Sequence, residues 1–147
     1  MMKRFETFTV LMTKISRSIR KIKSEEMAKF NLKSPHVSCL YYLYKSDSLT
    51  AKELCDICQE DKGLVSRSID YLENHGYLTC YSKTEKRYKS PLELTELGMK
   101  IGKEIVSKID QVLEEASFGL KSEDREAMYR SLFLICHNLE MMCKRYK

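Results

Sequence analysis

The spacing of the apolar residues changes half-way along this 147-residue chain, and the change limits the folds that the chain can adopt. Val65, Ile69 and Leu72 recur at i, i+4 and i+7, which is the spacing of one face of an α-helix. Residues 78–80 and 92–94 instead alternate between apolar and polar side chains, as half-buried β-strands do. The pattern predicts a helix followed by a short β-hairpin with a charged tip.

Short polar signals mark where the central helices begin and end. Ser34-Pro35 predicts a helix start, with serine as the N-cap and proline at the first helical position. Thr50 and Glu53 fit a capping box at the start of a short helix. The next helix is expected over residues 61–75 and to end at His75-Gly76, because glycine supplies the left-handed residue that follows many helices.

Long amphipathic helices flank this central region. The first is predicted over about residues 5–30, Thr95 is expected to cap the next, and Ser122 the last. The apolar residues of the last helix cover more than one stripe; they are Leu132, Phe133, Ile135, Cys136, Leu139 and Met142. Together with the stripe of the first helix they exceed what a small core would bury, and exposed apolar surface on that scale normally finds a partner.

One fold class accounts for this order of elements. We expect a mainly α chain with a small β-hairpin wing, namely a winged helix-turn-helix flanked by long dimerisation helices. Residues 1–147 would form a single domain, with the winged helix-turn-helix lobe at about 34–95 and the dimerisation region at about 5–33 and 96–147. A homodimer is therefore expected.

The charge order on the helix over residues 61–75 indicates an anionic partner. Its front carries small and basic residues and its back carries polar and acidic ones; they are Lys62, Gly63, Ser66 and Arg67 at the front, and Asp70, Glu73 and Asn74 at the back. The helix dipole favours the reverse order. In a helix-turn-helix the first residues of the second helix meet base edges in the major groove, where lysine and arginine donate to guanine or to phosphates. The front of this helix therefore predicts contact with double-stranded DNA.

The tip of the predicted wing, over residues 82–91, carries charge of the same sign. Its four cations face one anion, Glu85; the cations are Lys83, Lys86, Arg87 and Lys89. A local excess of this kind suits a phosphate backbone. A charged hairpin tip can also be merely solvated, and winged helices also serve as protein-docking modules. Docking of an acidic protein is therefore the alternative function.

The stretch LTAKELCDICQEDKGLVSRSIDYLENHGYLTCYSKTEKRYKSPLELTELG resembles the MarR (multiple antibiotic resistance regulator) family, with the likeness covering about residues 32–102. The resemblance implies a homodimeric transcription factor, an effector-responsive repressor that reads a pseudo-palindromic operator. Glu85-Lys-Arg87 lies where the family has an Asp-x-Arg wing motif, so Arg87 would reach into the minor groove. Two features depart from the family pattern: glutamate replaces the aspartate, and the segment from Arg87 to Thr95 is one residue longer and contains Pro91.

The resemblance also implies a binding pocket for a small aromatic effector, at the boundary between the dimerisation region and the DNA-binding lobe. The residues expected to line it are Phe8, Ile15, His36, Tyr41, Tyr42 and Tyr44. Aromatic residues at this density are also typical of an ordinary core, and that interpretation stays open.

The six cysteines and three histidines offer weaker signals. Cys55 and Cys58 form a single CxxC inside a helix and lack the second ligand pair of a zinc site, so packing is the favoured interpretation. Some MarR relatives sense peroxide through a cysteine in the first helix, where this chain has none. A thiol-responsive variant using Cys39, Cys136 or Cys143, or a metal-responsive one, remains an alternative, although no metal or cofactor is expected.

Several function classes are disfavoured by the sequence. No apolar run approaches the roughly 18 residues of a membrane span. The first residues lack a signal-peptide cleavage site, so a cytoplasmic location is expected. No nucleophile–base constellation or phosphate-cradling loop is visible, so an enzyme is not expected.

Overall fold

The structure is a computed structural model that describes residues 3–46, 48–80 and 89–146. The described α-helices are α1 (Arg4–Glu26), α2 (Ser34–Lys45), α3 (Ala51–Cys58), α4 (Lys62–Asn74), α5 (Glu96–Ala116) and α6 (Ser122–Cys143). The described strands are β1 (Leu49–Thr50), β2 (Leu78–Cys80) and β3 (Pro91–Leu94). The chain divides into two compact units, residues 1–109 and residues 110–147. This mainly helical architecture with a small antiparallel sheet is the predicted fold class.

The sheet confirms the predicted hairpin strands and adds a third strand. Its order is β1-β3-β2, and β3 is antiparallel to both neighbours. Leu78 lies opposite Leu94, and Cys80 lies opposite Leu92. The sequence analysis missed β1, because two residues are too few to show an alternating pattern and because this strand exists only through its pairing with Pro91 and Leu92.

The core of the first unit lies between α2, α3, α4, the sheet and α5. The predicted stripe of α4 faces this core: Val65, Ile69 and Leu72 are all buried. They pack with Leu40 of α2, Leu54 of α3 and residues of the sheet and α5, namely Leu78, Leu92, Ile101 and Ile105. The helical spacing of the sequence therefore identified the buried face of α4 correctly.

Three predicted helix boundaries are confirmed by local hydrogen bonds. The Glu53 backbone N–H donates to Thr50 Oγ1 over 3.1 Å, although the Glu53 carboxylate accepts from the Thr50 hydroxyl rather than from its backbone N–H. The Gly98 backbone N–H donates to Thr95 Oγ1 over 3.1 Å. Gly76 follows α4 with φ 80°, in the left-handed region expected of it.

Three other predicted boundaries were wrong by one to four residues. Ser34 is the first residue of α2 rather than its N-cap, and its backbone N–H donates to Ser24 Oγ of α1. Ser122 likewise begins α6, whose N-cap is Lys121. The first helix ends at Glu26 instead of residue 30, and a 3-10 turn over Ala28–Phe30 follows it. At Ser34 the local serine cap is replaced by a contact between helices that the local sequence cannot show.

The second unit contains the end of α5 and all of α6. Arg125 pairs with Glu114 over 3.3 Å within this unit. None of the described residues of α6 is buried. Its exposed large apolar side chains are Met128, Tyr129, Phe133, Leu134, Leu139, Met141 and Met142. In the described part of the chain, no helix combines the length and the apolar character that crossing a membrane requires.

Candidate nucleic-acid interface

The turn between α3 and α4 sets the first residues of α4. Gln59 takes a left-handed conformation with φ 55°, which ends α3. Asp61 then caps α4, because its side chain accepts from the Leu64 backbone N–H over 3.2 Å. Two short helices joined by a three-residue turn form the helix-turn-helix that the sequence predicted.

The four residues predicted at the start of α4 lie together; we call them the basic front (Lys62, Gly63, Ser66 and Arg67). Lys62, Ser66 and Arg67 are exposed, and Gly63 is half-buried. A Cβ atom at Gly63 would lie 3.2 Å from Arg67 Nη1 and 3.0 Å from Asp61 Oδ2. Because glycine has no side chain, the Arg67 guanidinium can lie against the first turn of the helix.

The opposite face of α4 is held by the core, so the basic front faces away from it. Val65 and Ile69 are buried, and the Ser68 hydroxyl donates to the Leu64 carbonyl over 2.8 Å. A helix anchored in this way presents Lys62, Ser66 and Arg67 as one exposed surface at its positive dipole end.

A stack of three rings joins α4 to α2. The Tyr71 ring lies 4.2 Å from the His36 ring and 4.0 Å from the His75 ring, measured between centroids. The Tyr71 hydroxyl donates to the Asn31 carbonyl over 2.6 Å. His36 Nδ1 accepts from the Lys33 backbone N–H over 3.0 Å. Burial, with Lys33 and His75 adding to it, lowers the pKa of His36 below its ordinary value.

The roles of Tyr71 and His75 were missed by the sequence analysis. Tyr71 lies 35 positions after His36, and no local spacing relates the two residues. Their contact depends on how α2 packs against α4, which is a tertiary property.

Two cavities flank α4. One, of about 460 Å³, is lined by Lys33, His36, Arg67 and Tyr71 among others. The other, of about 590 Å³, lies between α3 and α4 and is lined in part by Lys62 and Ser66. Residues of the basic front therefore border both cavities.

The predicted wing is described only at its base. β2 and β3 pair in antiparallel register, and Lys89 lies exposed two residues before β3. Lys83, Lys86 and Arg87, together with Glu85, lie outside the described residues. Their role in binding stays a prediction.

Comparison with known proteins identifies the family of this chain. A profile of the MarR family matches residues 30–83. The chain is also 31% identical over 112 residues to the uncharacterized HTH-type transcriptional regulator YwoH of Bacillus subtilis (strain 168), covering 76% of this chain and 81% of YwoH. The chain belongs to the MarR family. It is a MarR-family transcriptional regulator, as its resemblance to the family predicted.

Solved structures show the same fold. The S. aureus MepR–DNA complex matches with a TM-score of 0.80 and 22% identity, over 90% of this chain and 97% of MepR. A MarR-family regulator from Listeria monocytogenes, solved with a 26mer DNA, matches with a TM-score of 0.80 and 20% identity, over 95% of this chain and 90% of that chain. At these identities the likeness supports the winged helix-turn-helix fold of this MarR-family chain.

The residues predicted to line an effector pocket of this MarR-family regulator are spread over several environments. Tyr41 and Tyr42 are half-buried against the core, with their rings 5.2 Å apart and edge-on. Tyr44 packs on Gly102 of α5, where a Cβ would lie 3.0 Å from it. His36 stacks on Tyr71, and Ile15 is 50% exposed. Phe8 of α1 is half-buried.

The CxxC cysteines of this MarR-family chain pack against the core, as the sequence favoured. Cys55 and Cys58 are both half-buried beside the core cluster. No group of three or more His, Cys, Asp and Glu side chains suited to a metal ion occurs among residues 3–46, 48–80 and 89–146.

Proposed function

We propose that this MarR-family regulator binds double-stranded operator DNA as a homodimer, through the basic front of α4 and the wing over residues 82–91. The observation that carries the proposal is the basic front itself. Lys62 and Arg67 lie exposed on the first turns of a helix, where the helix dipole alone would favour acidic residues. A polyanion bound at this end would offset the repulsion between these basic side chains and the positive end of the helix dipole.

The placement of α4 supports major-groove contact. Its N-terminal end is exposed while its opposite face is anchored by Val65, Ile69 and Leu72. Helix-turn-helix proteins present the first residues of this helix to base edges. MepR and the Listeria regulator, which share the fold, were both solved with DNA.

The homodimer is supported by exposed apolar side chains on α1 and α6. On α1, Phe5 is 78% exposed and Leu11 is 50% exposed; on α6, Phe133 is 76% exposed. Water contact with so many large apolar groups is unfavourable, and a second copy would remove it. A two-fold dimer would present two α4 helices to a pseudo-palindromic operator, with half-sites about one helical turn, roughly 34–36 Å, apart.

An effector response is the third part of the proposal. A small aromatic effector bound near Tyr41, Tyr42 and Tyr44 would change the separation of the two α4 helices and release DNA, so that the protein acts as a repressor. A tyrosine hydroxyl is protonated at neutral pH and can donate to such an effector, and burial raises the pKa of Tyr42 further above its ordinary value.

Fluorescence anisotropy with DNA from the protein's own upstream region tests the proposal. Arg67→Ala should weaken binding to the cognate site by about 1–3 kcal/mol if Arg67 contacts a base. Lys103→Ala is the matched control, because Lys103 is an exposed cation on α5 far along the chain from the basic front, and its affinity should equal that of wild type.

The same titrations separate the alternatives. An equal loss on every DNA sequence would assign Arg67 to a phosphate instead of a base. Arg87→Ala should lower affinity for the cognate site, and unchanged affinity would show that this wing does not use Arg87. Wild-type protein without salt-sensitive DNA binding would contradict the proposal and favour docking of an acidic protein.

A further inference from the structure

The segment that joins α1 to α2 is hydrogen-bonded to α4. Residues 27–33, which we call the α1–α2 connection, contain the 3-10 turn Ala28–Phe30 and then Asn31 in a left-handed conformation with φ 59°. The Asn31 carbonyl accepts from the Tyr71 hydroxyl of α4 over 2.6 Å, across 40 positions of sequence. This bond attaches α4 to the segment through which the chain leaves α1.

The α1–α2 connection is itself anchored to the rest of the first unit. Met27 is buried at 1% exposure and belongs to the core. Lys29 pairs with Glu104 of α5 over 2.9 Å, and Glu26 at the end of α1 pairs with Lys108 of α5 over 3.6 Å. Because exposed ion pairs add little stability, the buried methionine is the main anchor, and the ion pairs orient the connection against α5.

Tyr71 restricts the orientation of α4 as well as its position. Its ring lies 4.2 Å from the ring of His36 on α2 at an interplanar angle of 11°, and 4.0 Å from the ring of His75 at 22°. One hydrogen bond would leave the helix able to turn about the hydroxyl, whereas a ring stacked against α2 resists that rotation. Tyr71 therefore holds α4 against both α2 and the α1–α2 connection.

We propose that Tyr71 is a positioning residue that sets the separation of the two α4 helices in the homodimer, and so the spacing between half-sites that an operator must have. This inference rests on the proposed function, since it requires a dimer that reads two half-sites. Tyr71 acts through the placement of α4 and does not itself contact a base or a phosphate.

The attachment connects the proposed dimer contact with the basic front. α1 carries exposed apolar side chains proposed to meet the second copy, including Phe5 and Leu11, and its last residue, Glu26, leads directly into the α1–α2 connection. Tyr71 lies four residues after Arg67, so the two residues share one face of α4, about 6 Å apart along the helix axis. A shift of α4 at Tyr71 therefore moves Arg67 with it.

Space beside α4 allows such a shift once the attachment is removed. The cavity of about 460 Å³ lies between the start of α2 and α4, and His36, Arg67 and Tyr71 are among the residues that line it. A smaller side chain at position 71 would enlarge this cavity and remove the contacts that hold α4 on that side.

The preferred spacing of half-sites reports the separation of the α4 helices. One added base pair moves a half-site by about 3.4 Å along the duplex axis and turns it by about 34° around that axis. A dimer with firmly placed α4 helices fits one spacing and loses contacts at the others. A dimer with loosened α4 helices adapts partly to each spacing, at some cost in affinity for the native one.

Fluorescence anisotropy on duplexes of altered spacing tests the proposal. The operator is located by footprinting in DNA from the protein's own upstream region. Duplexes are then made with its native spacing, with one base pair added or removed, and with a single half-site. Wild type should bind the native spacing several-fold more tightly than the altered ones. Tyr71→Phe, which removes only the hydroxyl, should reduce this preference, and Tyr71→Ala, which also removes the stacked ring, should reduce it further.

The matched control is Tyr146→Phe, which makes the same chemical change at a side chain that is 78% exposed beyond the end of α6. It should keep the wild-type preference, and circular dichroism should confirm the fold of every variant. Affinity for the single half-site should be unchanged in Tyr71→Phe. An equal loss on every duplex would assign Tyr71 to a DNA contact or to folding of the lobe and overturn the proposal, as would an unchanged preference in Tyr71→Ala.

Hydrogen–deuterium exchange tests the attachment without DNA. The Asn31 and Leu32 backbone N–H groups donate to the Ala28 and Met27 carbonyls within the α1–α2 connection. Their exchange should be faster in Tyr71→Phe than in wild type, because the connection opens more readily without its bond to α4. Peptides from α6 should exchange as in wild type. Wild-type exchange over residues 27–33 in both Tyr71 variants would overturn the attachment.

The two measurements separate this inference from the proposed function. Wild-type protein that fails to bind operator DNA would contradict the proposed function, while hydrogen exchange would still decide the attachment. Wild-type protein that binds all three spacings equally would leave DNA binding intact and overturn the role of Tyr71 in half-site spacing.

Discussion

Helices α4 and α6 differ in how their apolar residues are covered. Four of the 13 residues of α4 are buried, including its whole apolar stripe. None of the described residues of α6 is buried, although its 22 residues include Phe133 at 76% and Leu134 at 61% exposure. Both helices carry enough apolar surface to require packing.

The difference separates a helix whose apolar stripe is covered within its own unit from one that has no buried residue among those described. The apolar stripe of α4 is covered within the first unit, and the exposed residues of this helix are basic and polar. The described residues of α6 include exposed large apolar side chains beside exposed charged ones. One surface therefore suits a polyanion, and the other suits a second copy of the chain.

The largest expected effect comes from truncating a buried side chain of α4. Leu72→Ala should lower the free energy of unfolding by about 2–5 kcal/mol, because it leaves a cavity in the core against which α4 packs. Urea titration measures this loss, which should be the same at every protein concentration. Leu134→Ala on α6 should instead lower stability only where the protein is associated. An equal loss at all concentrations in Leu134→Ala would show that α6 packs within its own chain and would break the comparison.

A charge on α6 should have the next largest effect. Phe133→Glu is expected to weaken self-association by about 2 kcal/mol or more, roughly 30-fold, because it buries a carboxylate in an apolar contact. Sedimentation equilibrium measures the change in the dissociation constant. Lys121→Glu, at the N-cap of α6 and outside its apolar residues, is the charged control. A wild-type monomer at micromolar concentration would contradict the assignment of α6 to a dimer.

The smallest expected effect concerns the pH dependence of stability, and it tests the ring stack that joins α4 to α2. The pKa of His36 is lowered in the folded protein, so the unfolded chain binds the proton more readily. Stability should therefore fall as pH drops below about 6.5, the ordinary value for histidine, toward the lower pKa of the folded state. His36→Gln should flatten this slope in urea titrations between pH 7.5 and pH 5. A slope that persists in His36→Gln would show that the ring stack does not contribute to the pH dependence of stability.

Prediction from sequence succeeded where the residues that define a feature lie within one helix or next to its end. The stripe of Val65, Ile69 and Leu72 identified the buried face of α4, and Gly76 marked its end. Thr50 and Thr95 were correct as caps because their hydrogen-bond partners lie three residues away. Ser34 was wrong as a cap because its backbone N–H bonds to Ser24 on another helix.

The candidate site also contains one group of residues that the sequence predicted and one that it did not. The basic front was predictable because its four residues lie within two turns of one helix. The ring stack of His36, Tyr71 and His75 was not, because it depends on the packing of α2 against α4.

The sequence by itself determined the order of the six helices and of strands β2 and β3, the inward face of α4 and the charge at its front. These properties follow from side-chain spacing and from hydrogen bonds that span a few residues. Only the tertiary structure decided the pairing of β1 with β3 and the stacking of His36 on Tyr71. Such contacts join residues far apart in the chain, and their geometry depends on how whole elements pack rather than on any local pattern.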